Sequence, residues 1–137
     1  MPYATPQDLI DRFGEAEVRQ LTDLGDLGVV DEARAAAALQ ESDAEIDTYL
    51  RGRYALPLTP VPALLTRLAC ELTREALYVD APGETVKGRA EAARRLLREI
   101  AAGRAHLEFA AGGEGAQEGR EVQLSAATRP KIFGGGL

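Results

Sequence analysis

Apolar residues recur at helical spacing on both sides of a proline-rich segment near the middle of the chain. The apolar positions of these two runs are Leu39, Ile46, Tyr49 and Leu50 before the segment, and Leu64, Leu65 and Leu68 after it. Between the runs, Pro57, Pro60 and Pro62 each fix φ and push the preceding residue towards extended geometry. The pattern predicts a rigid elbow that joins two helices packed on each other.

Capping residues and periodicity together predict an all-α fold of about five helices. Thr5, Pro6 and Asp8 are typical of a helix start, because they place a hydroxyl at the N-cap, a proline at the first position and an acid in the first turn. Asp31 is a second N-cap candidate, and Gly103 is placed to end the last helix. The predicted helices cover residues 6–13, 15–21, 32–51, 60–78 and 84–102.

Each of the three long predicted helices has one inward stripe. The predicted inward positions are Ala35, Leu39, Ser42, Ile46, Tyr49 and Leu50, then Leu65, Leu68, Leu72 and Ala76, then Val86, Ala90, Ala93, Leu97 and Ile100. The charged residues predicted to face solvent are Glu41, Glu45 and Asp47 on the third helix and Arg94, Arg95 and Arg98 on the fifth. Asp47 also precedes Arg51 by four residues, a spacing that favours an ion pair along a helix. We expect a compact bundle of these helices.

The character of the sequence changes after residue 104. We expect a helical domain over residues 1–104 and a partly extended C-terminal arm over residues 105–137. Residues 106–109 and 122–125 alternate weakly between apolar and polar, so a short β-hairpin is possible across the glycine-rich segment between them. Ile132 and Phe133 have no local element to bury them, which suits either a frayed end or a segment that becomes ordered on a partner.

Charge is distributed unevenly about a net value of −6. Residues 1–50 carry 12 acids and 3 bases, whereas residues 84–104 carry 6 bases and 3 acids. The acidic first half disfavours a simple nucleic-acid binder, which would present a basic face. Segregated charge suits a contact between copies of the same chain, and solvated helix faces explain it equally well.

No group of residues in the sequence indicates catalysis, and we expect no enzyme activity, metal or cofactor. His106 is the only histidine and has few partners for a catalytic dyad. Cys70, the only cysteine, excludes an intrachain disulfide and fits a core position in mid-helix. The acidic pairs that suit solvated faces better than metal sites are Asp43/Asp47 and Glu41/Glu45, and Asp23-Leu24-Gly25-Asp26 is equally weak as a metal loop. The chain lacks a long apolar run, so we expect it to be cytosolic and soluble.

A small DNA-binding or regulatory helical module is the alternative class. Its basic recognition helix would be the fifth, whose arginines are Arg89, Arg94, Arg95 and Arg98. Binding to duplex DNA that weakens with salt would favour this class.

The N-terminal and elbow residues resemble those of a known family at consistent spacing over residues 3 to about 104. The residues that carry the resemblance are Tyr3-Ala4-Thr5-Pro6, Asp8-Leu9-Ile10, Arg12-Phe13-Gly14, Gln20-Leu21-Thr22-Asp23, Ala44-Glu45-Ile46-Asp47, Tyr49-Leu50, Gly52-Arg53-Tyr54, Leu56-Pro57-Leu58, Val61-Pro62, Leu64-Leu65, Leu68-Ala69-Cys70 and Ala101-Ala102-Gly103. The chain resembles the head-to-tail connector proteins of Mu-like phages and prophages, small helical adaptors of the virion neck.

The resemblance implies a structural role. Adaptors of this class form a ring, typically of twelve subunits, below the portal ring of a filled capsid. They seat the next neck or tail protein, and genome DNA passes through the middle without specific binding. The implied locations are the virion neck and, during assembly, the host cytoplasm, with no membrane partner.

Three sets of residues are candidates for such contacts. An arm for docking on the portal would use Arg129, Pro130, Lys131, Ile132 and Phe133. An elbow or subunit contact would use Arg51, Arg53, Tyr54, Pro57, Pro60 and Pro62. Charge-paired ring faces would use Glu41, Glu45 and Asp47 against Arg94, Arg95 and Arg98.

Overall fold

The computed structural model describes residues 2–109, which form five α-helices and no strand within that range. The helices are α1 (Pro6–Phe13), α2 (Glu15–Thr22), α3 (Glu32–Leu50), α4 (Ala63–Leu77) and α5 (Glu84–Ala101). The all-α prediction is confirmed. The prediction of a strand over residues 106–109 is wrong, because these residues pack as an irregular segment against the elbow. Residues 122–125 lie outside the described range.

The helix starts predicted from capping residues are confirmed. The Thr5 hydroxyl accepts from the amide of Asp8 at 3.1 Å, and the Asp8 carboxylate accepts from the amide of Thr5 at 2.8 Å. Asp31 accepts from the amide of Arg34 at 3.0 Å at the start of α3. Gly14 separates α1 from α2 at a φ of +93°, a region that glycine enters without steric cost.

Helix α4 begins three residues later than predicted, at Ala63 rather than Pro60. Pro62 is its N-cap, with a ψ of 142° that lies outside the helical region. Val61 precedes this proline, and a residue before proline is disfavoured in helical geometry, so the chain cannot begin the helix at Pro60. The segment 51–62, which we call the elbow, contains cis peptide bonds at Leu56–Pro57 and Thr59–Pro60.

Helix α4 is the centre of the bundle and packs against α3, α5 and α1. Six consecutive residues, Leu68–Thr73, are buried. The prediction that Ala76 lies inward is wrong. The buried stripe of the last turns runs through Thr73 and Leu77, four residues apart, which leaves Ala76 exposed. The predicted core of α5 is confirmed at all five positions.

Polar groups within this core are paired across helices. The hydroxyls of Ser42 on α3 and Thr73 on α4 form a hydrogen bond of 2.8 Å. Glu71 on α4 is also buried, and its Oε2 lies 3.6 Å from Nη1 of Arg89 on α5. Its other carboxylate oxygen has no hydrogen-bond partner among residues 2–109.

Arg94 on α5 joins three helices rather than facing solvent as predicted. Its Nε donates to Glu45 on α3 at 2.8 Å, and its Nη2 lies 3.0 Å from Glu75 on α4. The side chain is only 26% exposed. These carboxylates, with Glu45 first, raise the pKa of Arg94, so the guanidinium is charged at every accessible pH.

Two further predictions for α3 are wrong. Glu45 and Asp47 were expected to point into solvent, but both are half-buried. Asp47 accepts from the hydroxyl of Tyr3 and does not lie within ion-pair distance of Arg51. Tyr3 of the N-terminal segment therefore makes the contact with Asp47 that the helical spacing predicts for Arg51.

We expect Arg94→Ala to lower the free energy of unfolding by about 2 kcal/mol, because it leaves two half-buried carboxylates without their shared cation. Arg95→Ala is the matched control, since Arg95 is the exposed neighbour, and it should change stability by no more than about 0.5 kcal/mol. Urea unfolding followed by circular dichroism measures both. Equal effects of the two substitutions would contradict the bridging role of Arg94.

Candidate interaction surfaces

The bundle has two ends of different chemistry. The elbow and residues 102–109 lie at one end, which we call the elbow end, because Arg53 of the elbow donates to the carbonyl of Ala101 at 3.3 Å. Residues 23–30 and 78–83 lie at the other, which we call the loop end. Arg34 joins these two loops, since it donates to the carbonyls of Leu21 at 3.3 Å and Leu77 at 3.0 Å.

At the elbow end, Arg53 lies over the C-terminus of α5. Besides its bond to Ala101, its guanidinium covers Gly103, so closely that a Cβ built on Gly103 would lie 2.9 Å from Cζ of Arg53. Gly103 has a φ of +81°. A cation at the carbonyl end of a helix is favourable, and the missing Cβ at position 103 leaves room for the guanidinium.

Tyr54 contacts the last described residues, 105–109, from the elbow. Its hydroxyl accepts from the amide of Leu107 at 3.2 Å, and its ring centroid lies 6.4 Å from that of Phe109. Leu107 is buried. Tyr54, a candidate for an elbow or subunit contact, therefore holds residues 105–109 on the elbow.

A cleft of about 630 Å³ opens beside the elbow. Its lining residues are Tyr3, Asp47, Arg51, Tyr54, Ala55, Leu56, Pro57 and Leu58. Tyr3 holds one wall in place, because its amide donates to Asp43 at 3.2 Å and its carbonyl accepts from Thr66 at 2.7 Å. Burial, reinforced by the Asp47 carboxylate, raises the pKa of Tyr3 well above its usual range, so this phenol is a permanent donor rather than an acid.

The loop end exposes large apolar side chains. Leu24, Leu27, Val29 and Val79 are between 58% and 80% exposed, and they are the large hydrophobic residues most exposed in the described part of the chain. The sequence predicts a loop over residues 22–28 but does not single out these positions.

Asp23 holds the first of these loops in one shape. Its carboxylate accepts from the amides of Leu27 at 2.8 Å and Gly28 at 2.7 Å. These bonds, led by that from Leu27, lower the pKa of Asp23. Asp26, within the loop, has a φ of +56°, a region that aspartate tolerates better than most residues.

The candidate ring faces are only partly free in the described chain. Arg94 pairs with Glu45, and Asp47 bonds to Tyr3, so these three are occupied within one molecule. The residues of this set that remain exposed are Glu41 on α3 and Arg95 and Arg98 on α5.

Helix α5, the recognition helix of the DNA-binding alternative, likewise has fewer free arginines than its sequence suggests. Arg94 is neutralised by two carboxylates, and Arg89 lies against buried Glu71. Only Arg95 and Arg98 of the four arginines are both exposed and without a carboxylate within 4 Å among residues 2–109. Two free cations are few for a face that must follow a phosphate backbone.

The reactive residue types are dispersed. Burial raises the pKa of the Cys70 thiol to about 11, which makes it a poor nucleophile. His106 is exposed beside the elbow. In residues 2–109, no three His, Cys, Asp or Glu side chains are grouped to hold a metal ion. No helix in this range is both long and apolar enough to cross a membrane. The predicted docking residues 129–133 lie outside the described range.

Comparison with known proteins gives consistent matches to phage proteins. The model of the family described as Bacteriophage Mu, Gp36 matches residues 3–126. The Mu-like prophage FluMu protein gp36 of Haemophilus influenzae is 35% identical over 101 residues, which cover 74% of this chain and 72% of that protein. Gene product J of Escherichia phage Mu is 31% identical over 135 residues, which cover 97% of this chain and 94% of that protein.

We expect Gly103→Ala to destabilise the protein by about 1–2 kcal/mol, since alanine is strained at positive φ and its methyl group displaces Arg53. Gly88→Ala is the matched control: Gly88 lies in α5 with open space around it, so alanine should stabilise the helix by about 0.5–1 kcal/mol. Thermal unfolding measures both. A neutral Gly103→Ala would contradict the close approach.

We expect the bonds from Asp23 to weaken as pH falls. Because the folded loop lowers the pKa of Asp23 below its usual value of 3.8, the bonds are complete above that value and are lost as pH falls through the lower, folded value. The amide proton shifts of Leu27 and Gly28 in a pH-dependent NMR series should follow this titration. Asp26→Asn should preserve it, because asparagine tolerates the same positive φ, and Asp23→Ala should abolish it; persistence in Asp23→Ala would refute the assignment.

Proposed function

This chain belongs to the Bacteriophage Mu Gp36 family, and we propose that it is a non-enzymatic head-to-tail connector of the phage neck. In this proposal, copies of the chain form a ring below the portal, seat the next neck or tail protein and surround the path of the DNA. The observation that carries the proposal is the family match over residues 3–126, together with the resemblance of the elbow and N-terminal residues to neck adaptors.

The architecture supports a role that depends on shape. Helix α4 is enclosed by its neighbours. Arg94 on α5 pairs with Glu45 on α3 and Glu75 on α4, and Arg74 on α4 pairs with Glu17 on α2. Such cross-linking suits a body that must keep its form under load from larger neighbours. The two ends differ in chemistry, as a subunit between two unlike partners requires.

Ring closure needs a heterologous contact, in which one face of each copy meets a different face of the next. Glu41 on α3 and Arg95 and Arg98 on α5 are exposed and of opposite charge. We assign the ring contact to these three of the six candidate residues. The excess of acids over residues 1–50 suits a lumen that repels phosphates, so that DNA slides rather than binds.

The contact with the portal is assigned to the C-terminal arm. Tyr54 and buried Leu107 fix the start of the arm at the elbow end. Beyond it, Ile132 and Phe133 provide two large apolar groups beside two cations, Arg129 and Lys131. Burial of such side chains contributes about 1.5–3 kcal/mol each.

We expect the double substitution Ile132→Ser/Phe133→Ser to weaken binding to the portal protein of the same phage at least about tenfold, because it removes both apolar groups of the arm. Val122→Ser/Leu124→Ser is the matched control within the arm and should bind as the parent does. Sedimentation of the chain with and without purified portal rings measures binding, and the mass of the complex gives the number of copies.

Unchanged binding of the Ile132→Ser/Phe133→Ser protein would refute docking by the arm. Failure of the parent chain to bind portal rings at all, or its absence from purified virions, would refute the connector function itself.

A further inference from the structure

The loop end has an apolar surface without a partner in the described chain. Leu24, Leu27 and Val29 come from the loop between α2 and α3, and Val79 from the loop between α4 and α5. Arg34 brings these loops together, since one guanidinium bonds the last turn of α2 and the last residue of α4. We call the four side chains the apolar patch. All four side chains therefore lie at one end of the bundle.

The patch is held in shape before any partner binds. Asp23 accepts from two amides of the first loop, and buried Thr22 accepts from the amide of Asp31 at 3.0 Å where the loop rejoins α3. A surface that is already ordered loses little conformational entropy on binding, which favours docking.

The two loops that carry the patch are acidic, although the Arg34 guanidinium lies between them. Residues 23–32 contain four acids and no base, and residues 78–84 contain two acids and no base. The complementary ligand is therefore a segment with large apolar side chains next to positive charges.

Such a segment exists in this chain beyond the described residues. Residues 122–137 contain Arg129 and Lys131 as their only charged side chains, directly before Ile132 and Phe133. The sequence Arg-Pro-Lys-Ile-Phe thus provides two cations and two large apolar groups, with no acid to oppose the loop end.

The chain is long enough for this contact. It leaves the described body at Phe109, which lies at the elbow end against Tyr54. The loop end is about 27 Å away, the length of the 18-residue helix α5 at about 1.5 Å per residue. The 22 residues between Phe109 and Ile132 can span up to about 73 Å. A tethered segment reaches an effective concentration of order millimolar, so its own body is the preferred site in dilute solution.

We propose that residues 129–133 dock on the apolar patch of their own chain, with Ile132 and Phe133 against Leu24, Leu27, Val29 and Val79, and with Arg129 and Lys131 facing Asp26 and Asp80. This contact concerns the isolated chain and goes beyond the connector function. In the presence of a portal, the same segment would have to leave the patch before it could dock elsewhere.

Disulfide trapping in the full-length chain tests the contact. Ala81→Cys/Gly134→Cys adds one thiol beside the patch and one beside the segment, and it keeps every apolar and charged group of both. Ala55→Cys/Gly134→Cys is the matched control, since Ala55 is exposed at the elbow end, nearer to Phe109. Buried Cys70 should stay reduced in both, and peptide mapping identifies the disulfide.

At micromolar protein and with mild oxidant, we expect the Ala81/Gly134 pair to form an intramolecular disulfide at least tenfold faster than the control pair. Arg129→Glu/Lys131→Glu should reduce its rate towards that of the control, and Asp26→Lys/Asp80→Lys in that background should restore it. Equal rates for the two pairs, disulfides only between chains, or indifference to charge reversal would each overturn the proposal.

A second measurement needs no added cysteine. The amide NMR signals of Leu27, Val29 and Val79 should shift when residues 128–137 are deleted, while those of α5 should not. Unshifted signals at the patch would also overturn the proposal. Neither experiment includes portal protein, so a negative result contradicts the contact within the chain without contradicting the connector function.

Discussion

The enclosure of helix α4 is the constraint on which the rest of the structure depends. With α3, α5 and α1 packed around it, this helix has six consecutive residues buried, and two of those six, Glu71 and Thr73, are polar. Each buried leucine contributes about 1.5–3 kcal/mol, whereas a hydrogen bond contributes about 1 kcal/mol net. Packing therefore supplies most of the stability. The Ser42–Thr73 pair avoids the cost of unsatisfied hydroxyls, whereas one oxygen of Glu71 has no partner among residues 2–109.

The buried polar groups determine how the neighbouring helices are placed. The Thr73 hydroxyl forms a hydrogen bond with the Ser42 hydroxyl on α3, and the Glu71 carboxylate lies 3.6 Å from the guanidinium of Arg89 on α5. At the edge of the core, Arg74 binds Glu17 through two hydrogen bonds of 2.6 and 3.1 Å and stacks 4.4 Å above the ring of Phe13. Ion pairs at this half-buried boundary keep α2, α3 and α5 in register around α4.

The parts of the fold that sequence could predict are those determined by neighbouring residues. The caps at Thr5 and Asp31 and the stop at Gly103 depend on a few adjacent positions, and the core of α5 follows from its own period. The prediction that Arg94 faces solvent is wrong because its partners, Glu45 and Glu75, lie 49 and 19 residues earlier in the chain. They meet Arg94 only when three helices have packed. Helix α4 begins three residues later than predicted because Pro62 disfavours helical geometry at Val61, and this restriction outweighs the apolar pattern.

The candidate surfaces follow the same division. The prolines identify the elbow, but the partner of Arg53 depends on where α5 ends in space. Tyr3 carried no signal beyond its place in the family pattern. From the sequence, Asp23 and Asp26 indicate at most a weak metal site, whereas in the structure Asp23 accepts from backbone amides four and five residues later. That spacing, with a leucine directly before each of Gly25 and Gly28, is the signal that could have indicated an ordered apolar loop.

The attachment of residues 105–109 to Tyr54 has a mechanical consequence. The amide of Leu107 bonds to the Tyr54 hydroxyl, and Leu107 itself is buried. A displacement of the elbow and a displacement of residues 105–109 are therefore one motion rather than two, and whatever binds one of these segments also acts on the other.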